Sequence, residues 1–179
     1  GFAIFLSLVP FHVNRKFGVE SDALGTLSFI STFISAGAAI VGPRVSRRLG
    51  TLRTIVASIA LCTPFFLLIA MAPSFLWFSV FYVARVAIGA VASPLGTSLY
   101  MRLLNDDEKA TATSATMMAG MGGTTLATWV GGLLMERVSL DLPAYAAAAL
   151  YVVSALLHFL LLRREKGIEL KPALAKGAV

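Results

Sequence analysis

Long apolar stretches alternate with short polar ones along most of the chain. A helix needs about 20 mostly apolar residues to cross the hydrocarbon. Six stretches read as such helices: residues 1–13, 23–43, 52–72, 74–100, 110–135 and 142–162. The first is too short to span, and it reads as the remainder of a helix that begins before Gly1. Away from the ends of these stretches, the only charged residue is Arg85. The runs are too long for strands and lack the alternation of a membrane barrel. The pattern therefore predicts an all-α membrane protein: a bundle of six transmembrane helices over residues 1–163, with a loose polar tail over 164–179.

The connections carry turn chemistry. Gly18 sits between the first two helices, Gly50 after the second and Pro73 after the third. Asn105, Asp106 and Asp107 precede the fifth helix and are expected to cap it. Residues 139–143 form the last connection.

Composition narrows the class. Of 179 residues, 58% are hydrophobic and 13% charged, and mean hydropathy is +0.83. Soluble domains carry about 25% charged residues, so a polar shell of ordinary size is missing. That weighs against a soluble enzyme, a nucleic-acid binder and a disordered chain. Cys62 is a lone cysteine, which excludes a disulfide framework and a sulfur-rich metal site.

The net charge of +6 does not point to nucleic acid, because the basic residues cluster between apolar runs. Arg44, Arg47, Arg48, Arg53, Arg102, Lys109 and five tail residues fall on one side of the predicted topology. Only Arg15, Lys16 and Arg137 fall on the other. Positive residues mark the cytoplasmic side. Connections 44–51 and 101–109 and the tail are therefore expected in the cytoplasm, in the plasma membrane of the cell. Trp77, Tyr145 and Tyr100 fall where interfacial aromatic belts are expected.

Arg85 is the most informative residue. A helix from Trp77 to Tyr100 rises roughly 35 Å at about 1.5 Å per residue, with Arg85 about 5 Å from its midpoint. A central Arg costs about 2.5–3.5 kcal/mol on insertion scales, so it should face the bundle interior or a wet cavity. Two readings stand: an anion-binding, coupling or gating charge, or a structural Arg satisfied by neighbouring carbonyls. Gly89, Ala92 and Gly96 follow on the same helical face, with Pro94 nearby. They fit close packing, or a helix that rocks beside a cavity.

Ser28, Thr32 and Ser35 form a weakly polar stripe on the second helix, lining a cavity or bonding back to their own backbone. The fifth helix is rich in Gly, with Met117, Met118 and Met121, which suits packing or an adaptable apolar contact. His12 and His158 lie singly and read as packed or interfacial imidazoles. Residues 106–108 are acidic but sit beside Lys109, which suits a solvated turn better than a metal site. No GxSxG, HExxH or Walker A motif occurs, and no catalytic residue, metal ligand set or cofactor is expected.

Three segments carry a family resemblance. Residues 42–50 read Gly42-Pro43-Arg44-Val45-Ser46-Arg47-Arg48-Leu49-Gly50. This resembles the second, degenerate copy of the GxLaDRxGRR loop of the major facilitator superfamily, with Arg48 and Gly50 on the motif's Arg and second Gly. Arg47 stands where that motif has Asp, and Gly42 comes one position early. Arg85 to Gly89, followed by Pro94, resembles the family's RxxxG helix. Residues 107–112 resemble the segment that enters its eleventh helix, with Lys109 where Arg is common.

The whole chain thus resembles the C-terminal half of such a transporter, its helices seven to twelve. The resemblance implies two six-helix halves rocking about a central cavity, lined here by the fourth helix. The third and sixth helices would face lipid. It also implies Gly42, Arg47, Arg48 and Gly50 as the cytoplasmic gating loop. The expected activity is secondary, proton-coupled export of a small, fairly apolar compound, with Arg85 and Gly89 near substrate or coupling. Pro94 and Gly96 would lend the fourth helix flexibility. The expected partners are that substrate, the lipid bilayer and an N-terminal half of the same chain, with no nucleic acid. The alternatives are a non-catalytic membrane subunit of a transport complex, or a membrane-embedded enzyme.

Overall fold

The computed structural model describes Phe5 and residues 7–102 and 105–164. Six helices follow one another: α1 (Val9–Phe17), α2 (Ser21–Leu49), α3 (Thr51–Ala70), α4 (Phe75–Arg102), α5 (Lys109–Arg137) and α6 (Leu142–Arg164). The protein is all-α over the described residues. Two ends of the bundle are named here by a residue at each, the Asp141 end and the Arg48 end.

Several helices outrun the apolar stretches that reveal them. α1 continues through Arg15 and Lys16 and stops at Gly18, whose φ of 64° is the left-handed conformation that glycine adopts freely. α2 continues six residues beyond the stretch expected to end at 43, and reaches Leu49. Hydropathy locates the membrane, whereas Arg and Leu are good helix formers on either side of its boundary. The expected connection 44–51 is therefore mostly helix. The joint between α2 and α3 is Gly50 alone, at φ 89° and ψ 144°. Gly42 and Pro43 lie inside α2.

The expected cap of α5 is replaced by another device. Asp106–Glu108 form a 3-10 turn, and the backbone N–H of Glu108 donates to the Asn105 carbonyl at 3.0 Å. No side chain caps α5, and the Asn105 amide donates instead to the Glu108 carboxylate at 3.3 Å.

α4 is central, packed along α2 on one side and α3 on the other. α3 also packs along α6, whereas α5 touches α6 only lightly. Small residues allow the closest approach. A Cβ on Gly42 would lie 2.7 Å from the backbone oxygen of Val91, so α2 and α4 meet there without a side chain between them. α3 buries Thr54, Ser58, Cys62, Phe66 and Ile69, at helical spacing, against its neighbours. Its Leu61, Leu67 and Leu68 face outward. One face of α3 thus points away from the bundle, as a lipid-facing helix requires, and the other is deep inside.

The main apolar core lies at the Asp141 end. Phe5, Val9, Val13, Phe66, Ile69, Phe78, Met135, Ala144 and Ala147 are all buried there. Phe78 is stacked on Tyr82 with centroids 5.9 Å apart, and Phe17 meets it edge-on at 5.8 Å. Three helices among the described residues are long and apolar enough to cross a membrane: Ser21–Leu49, Thr51–Ala70 and Phe75–Met101. The described apolar part of α6, Leu142–Leu157, is shorter. α5 has the length, at 29 residues, but its Gly and Thr dilute its hydropathy.

Candidate functional site

Arg85 stands a little over a third of the way along α4 and is 2% exposed. Its Nη2 donates to the Tyr151 hydroxyl at 2.6 Å. The guanidinium lies over the Phe66 ring, 4.7 Å from the centroid, and 5.5 Å from that of Tyr151. The two rings are themselves 4.9 Å apart. The Cys62 thiol donates to the Arg85 carbonyl oxygen at 3.7 Å. Three helices thus converge on one cation. Ring faces attract a desolvated guanidinium, and a phenol supplies an acceptor without adding a second buried charge. This is how α3, α4 and α6 accommodate a charge that lipid would reject.

The small residues after Arg85 leave room rather than closing it. A cleft of about 240 Å³ runs from Tyr151 along α3 and α4, lined by Ser58, Cys62, Gly89, Ala92, Ser93 and Gly96. Gly96 also borders a larger cleft of about 390 Å³ between α4 and α5. That cleft is lined by Thr97, Tyr100, Met101, Thr113, Thr116 and Met117. Its polarity comes from hydroxyls: Thr116 and Thr113 donate to the Ala112 and Lys109 carbonyls at 2.8 and 2.6 Å, and the Tyr100 phenol lies 3.2 Å from the Thr116 oxygen, which accepts from it. Pro94 lies within α4, and the helix continues through it.

The structure therefore brings Arg85, Gly89 and Gly96 to one face of α4. It does not bring the α2 hydroxyl stripe there. Ser28 and Thr32 are exposed beside Phe29 and Phe33, and Ser35 donates to the Ser31 carbonyl at 2.6 Å. None of the three lines either cleft. Arg47, Arg48 and Gly50 are exposed at the Arg48 end, whereas Gly42 is buried in the contact with Val91.

A second polar cluster closes the Asp141 end. Lys16 Nζ is 2.6 Å from the Asp141 carboxylate and donates to the Ala70 carbonyl at 2.7 Å. His12 is fully buried, with Nδ1 2.9 Å from the Leu140 carbonyl and Nε2 3.5 Å from Asp141. A carbonyl only accepts, so Nδ1 carries the proton in that bond. His12 is a packed imidazole, but a carboxylate 129 positions away in the chain stands against it. Local spacing could not reveal this. Tyr151 was missed for the same reason, since its phenol lies 66 positions from Arg85. The usable signal was chemical: a mid-span Arg needs an acceptor, and Tyr82 and Tyr151 are the mid-span phenols available. Among the described residues no three His, Cys, Asp or Glu side chains come together. The side chain of His158 lies outside the described residues.

Among the described residues the protein is thus a helical bundle with Arg85 enclosed between three helices and clefts along a small-residue helix. The chain belongs to the Major Facilitator Superfamily, whose family model matches residues 1–178. Comparison with curated proteins gave no match, and comparison with solved structures gave none either. The protein is accordingly an integral membrane transporter of that superfamily and not an enzyme. Its six helices are consistent with half of the family's bundle, and its setting implies a transported substrate.

Proposed function

We propose that this chain is the C-terminal half of a secondary transporter that exports a small, fairly apolar compound from the cell across the plasma membrane, coupled to protons. The observation that carries this reading is the enclosed Arg85, bonded to Tyr151, which lines the cleft along α4. A buried cation beside an open, small-residue helix face can answer charge that arrives or leaves nearby, and bonded to a phenol it remains available to exchange partners. The clefts on both sides of Gly96 are lined by Met, Tyr, Thr and small residues. Such walls accept an amphipathic molecule with few polar groups better than a sugar or an amino acid. Gly89, Pro94 and Gly96 let α4 shift against α3 and α5. A coupling carboxylate is absent from the interior of these six helices, so the acid would belong to the N-terminal half. In this reading Gly42, Arg47, Arg48 and Gly50 form the inner gating joint, and the basic residues clustered around it support a cytoplasmic Arg48 end.

The test is transport by the intact protein in vesicles carrying a proton gradient. Arg85→Ala should abolish flux while the protein still inserts. Tyr151→Phe, which keeps both rings and removes one acceptor, should lower flux with little change in thermal stability. Wild-type flux in Arg85→Ala would sink the proposal. Parallel loss of stability and flux in both variants would reduce Arg85 to a structural cation.

A further inference from the structure

We propose that the joint between α2 and α3 is a binding site for the phosphate headgroup of an anionic phospholipid. Arg44, Arg47 and Arg48 occupy the last two turns of α2 at positions i, i+3 and i+4, which puts them on one helical face. Gly50 is the whole of the joint, so Arg53 in the first turn of α3 belongs to the same tight hairpin. All four side chains are exposed. None forms an ion pair among the described residues. No Asp or Glu occurs between Asp22 and Asp106, so neither helix can neutralise the cluster from its own sequence.

The choice of residue matters. All four are Arg, whose planar fork binds phosphate in a bidentate way that a Lys ammonium does not reproduce. The surroundings select the source of the phosphate. Ile40, Val41 and Leu49 are 66%, 46% and 55% exposed next to the arginines. A free phosphate has no use for such a surface. A phospholipid uses both parts, its headgroup on the arginines and its acyl chains along Ile40 and Val41. α2 and α3 are two of the helices long and apolar enough to span, so the cluster sits at headgroup depth. Basic clusters next to a membrane helix attract anionic lipid. Positive charge alone would orient the helices. The lipid site additionally requires the clustering, the arginine identity and the apolar flank, and it does not depend on the transport reading.

The experiment uses the full transporter purified in detergent, with phosphatidylglycerol or phosphatidylcholine added and retained lipid read by native mass spectrometry. The wild type should hold phosphatidylglycerol about tenfold better than phosphatidylcholine, and rising salt should erase the preference. The variant R44Q/R47Q/R48Q/R53Q should lose that preference. The all-Lys variant should keep only part of it, and Arg15→Gln at the opposite end should change nothing. Glycerol phosphate at millimolar concentration should not displace the lipid. Undiminished preference in the Gln variant, or a salt-insensitive preference in the wild type, would overturn the site. Displacement by glycerol phosphate would reassign it to a soluble anion. Should the Gln variant fail to fold, the single variants Arg44→Gln and Arg53→Gln decide, each expected to weaken retention about threefold.

Discussion

At the Asp141 end the chain closes on itself. α1, the end of α3, the start of α4 and the connection before α6 share one aromatic core. Lys16 and His12 tie that core to Asp141, Ala70 and Leu140. At the Arg48 end α2 still meets α4 closely at Gly42, but the opening lies elsewhere. α5 meets α4 across an open cleft, and the arginines of the α2–α3 joint face outward. The charges show the contrast best: at one end opposite charges are drawn together, and at the other like charges remain side by side. Bound groups are stabilised where partners are already present, whereas ligands bind where they are missing. A protein that must open and close is expected to pair a firm end with a looser one, because low local stability is what permits motion.

Four substitutions test that contrast, here ordered by expected effect. Phe78→Ala empties the centre of the closed end, where Phe78 is wholly buried against Phe17, Tyr82 and His12. A loss of about 3–5 kcal/mol is expected in denaturant titration of the purified protein. Gly42→Ala forces a Cβ toward the Val91 carbonyl, and α2 must move off α4. Overpacking of this kind costs about 1–3 kcal/mol. A cross-link between cysteines placed on the two helices should form more slowly.

Asp141→Asn removes the charge shared by Lys16 and His12. Both charged side chains are partly open to solvent, at 21% for Lys16 and 33% for Asp141, so the expected loss is only about 1 kcal/mol. The loss should be confined to the closed end, seen as faster hydrogen exchange in α1. Met118→Ala, on the exposed face of α5, should shift stability by less than about 0.5 kcal/mol. A large loss there would mean that α5 is held far more firmly than its light contacts suggest.

Much of the fold could be read directly from the pattern of residues. Six apolar stretches became six helices, because an apolar run of that length in an otherwise charge-poor chain has few other uses. The motif-like segments around Gly50, Arg85 and Lys109 pointed to the superfamily that the family model identifies. Helix ends were less legible. α2 runs on through Arg47 and Arg48 because helix propensity does not stop where hydropathy falls. α5 lacks the side-chain cap expected from Asn105, Asp106 and Asp107, because a 3-10 turn satisfies the backbone there.

The candidate site divides along the same line. That Arg85 must be enclosed follows from the cost of a lone charge in lipid, a property of one residue in one run. That Gly89 and Gly96 share its face follows from helical periodicity. Which rings enclose it, and from which helices, depends on how α3 and α6 rotate about their axes, and no local spacing encodes that. The pairing of Lys16 and His12 with Asp141 joins residues more than 120 positions apart and exists only once the helices have docked. The Ser28, Thr32 and Ser35 stripe shows the converse. Its periodicity is real, but packing turned Ser31 inward and left Ser28 and Thr32 at the surface. The chain alone therefore determined the solvent, the helices and the residues too costly to leave exposed. The tertiary structure decided which partners meet them, because helix rotation and docking are set by contacts summed over the whole bundle.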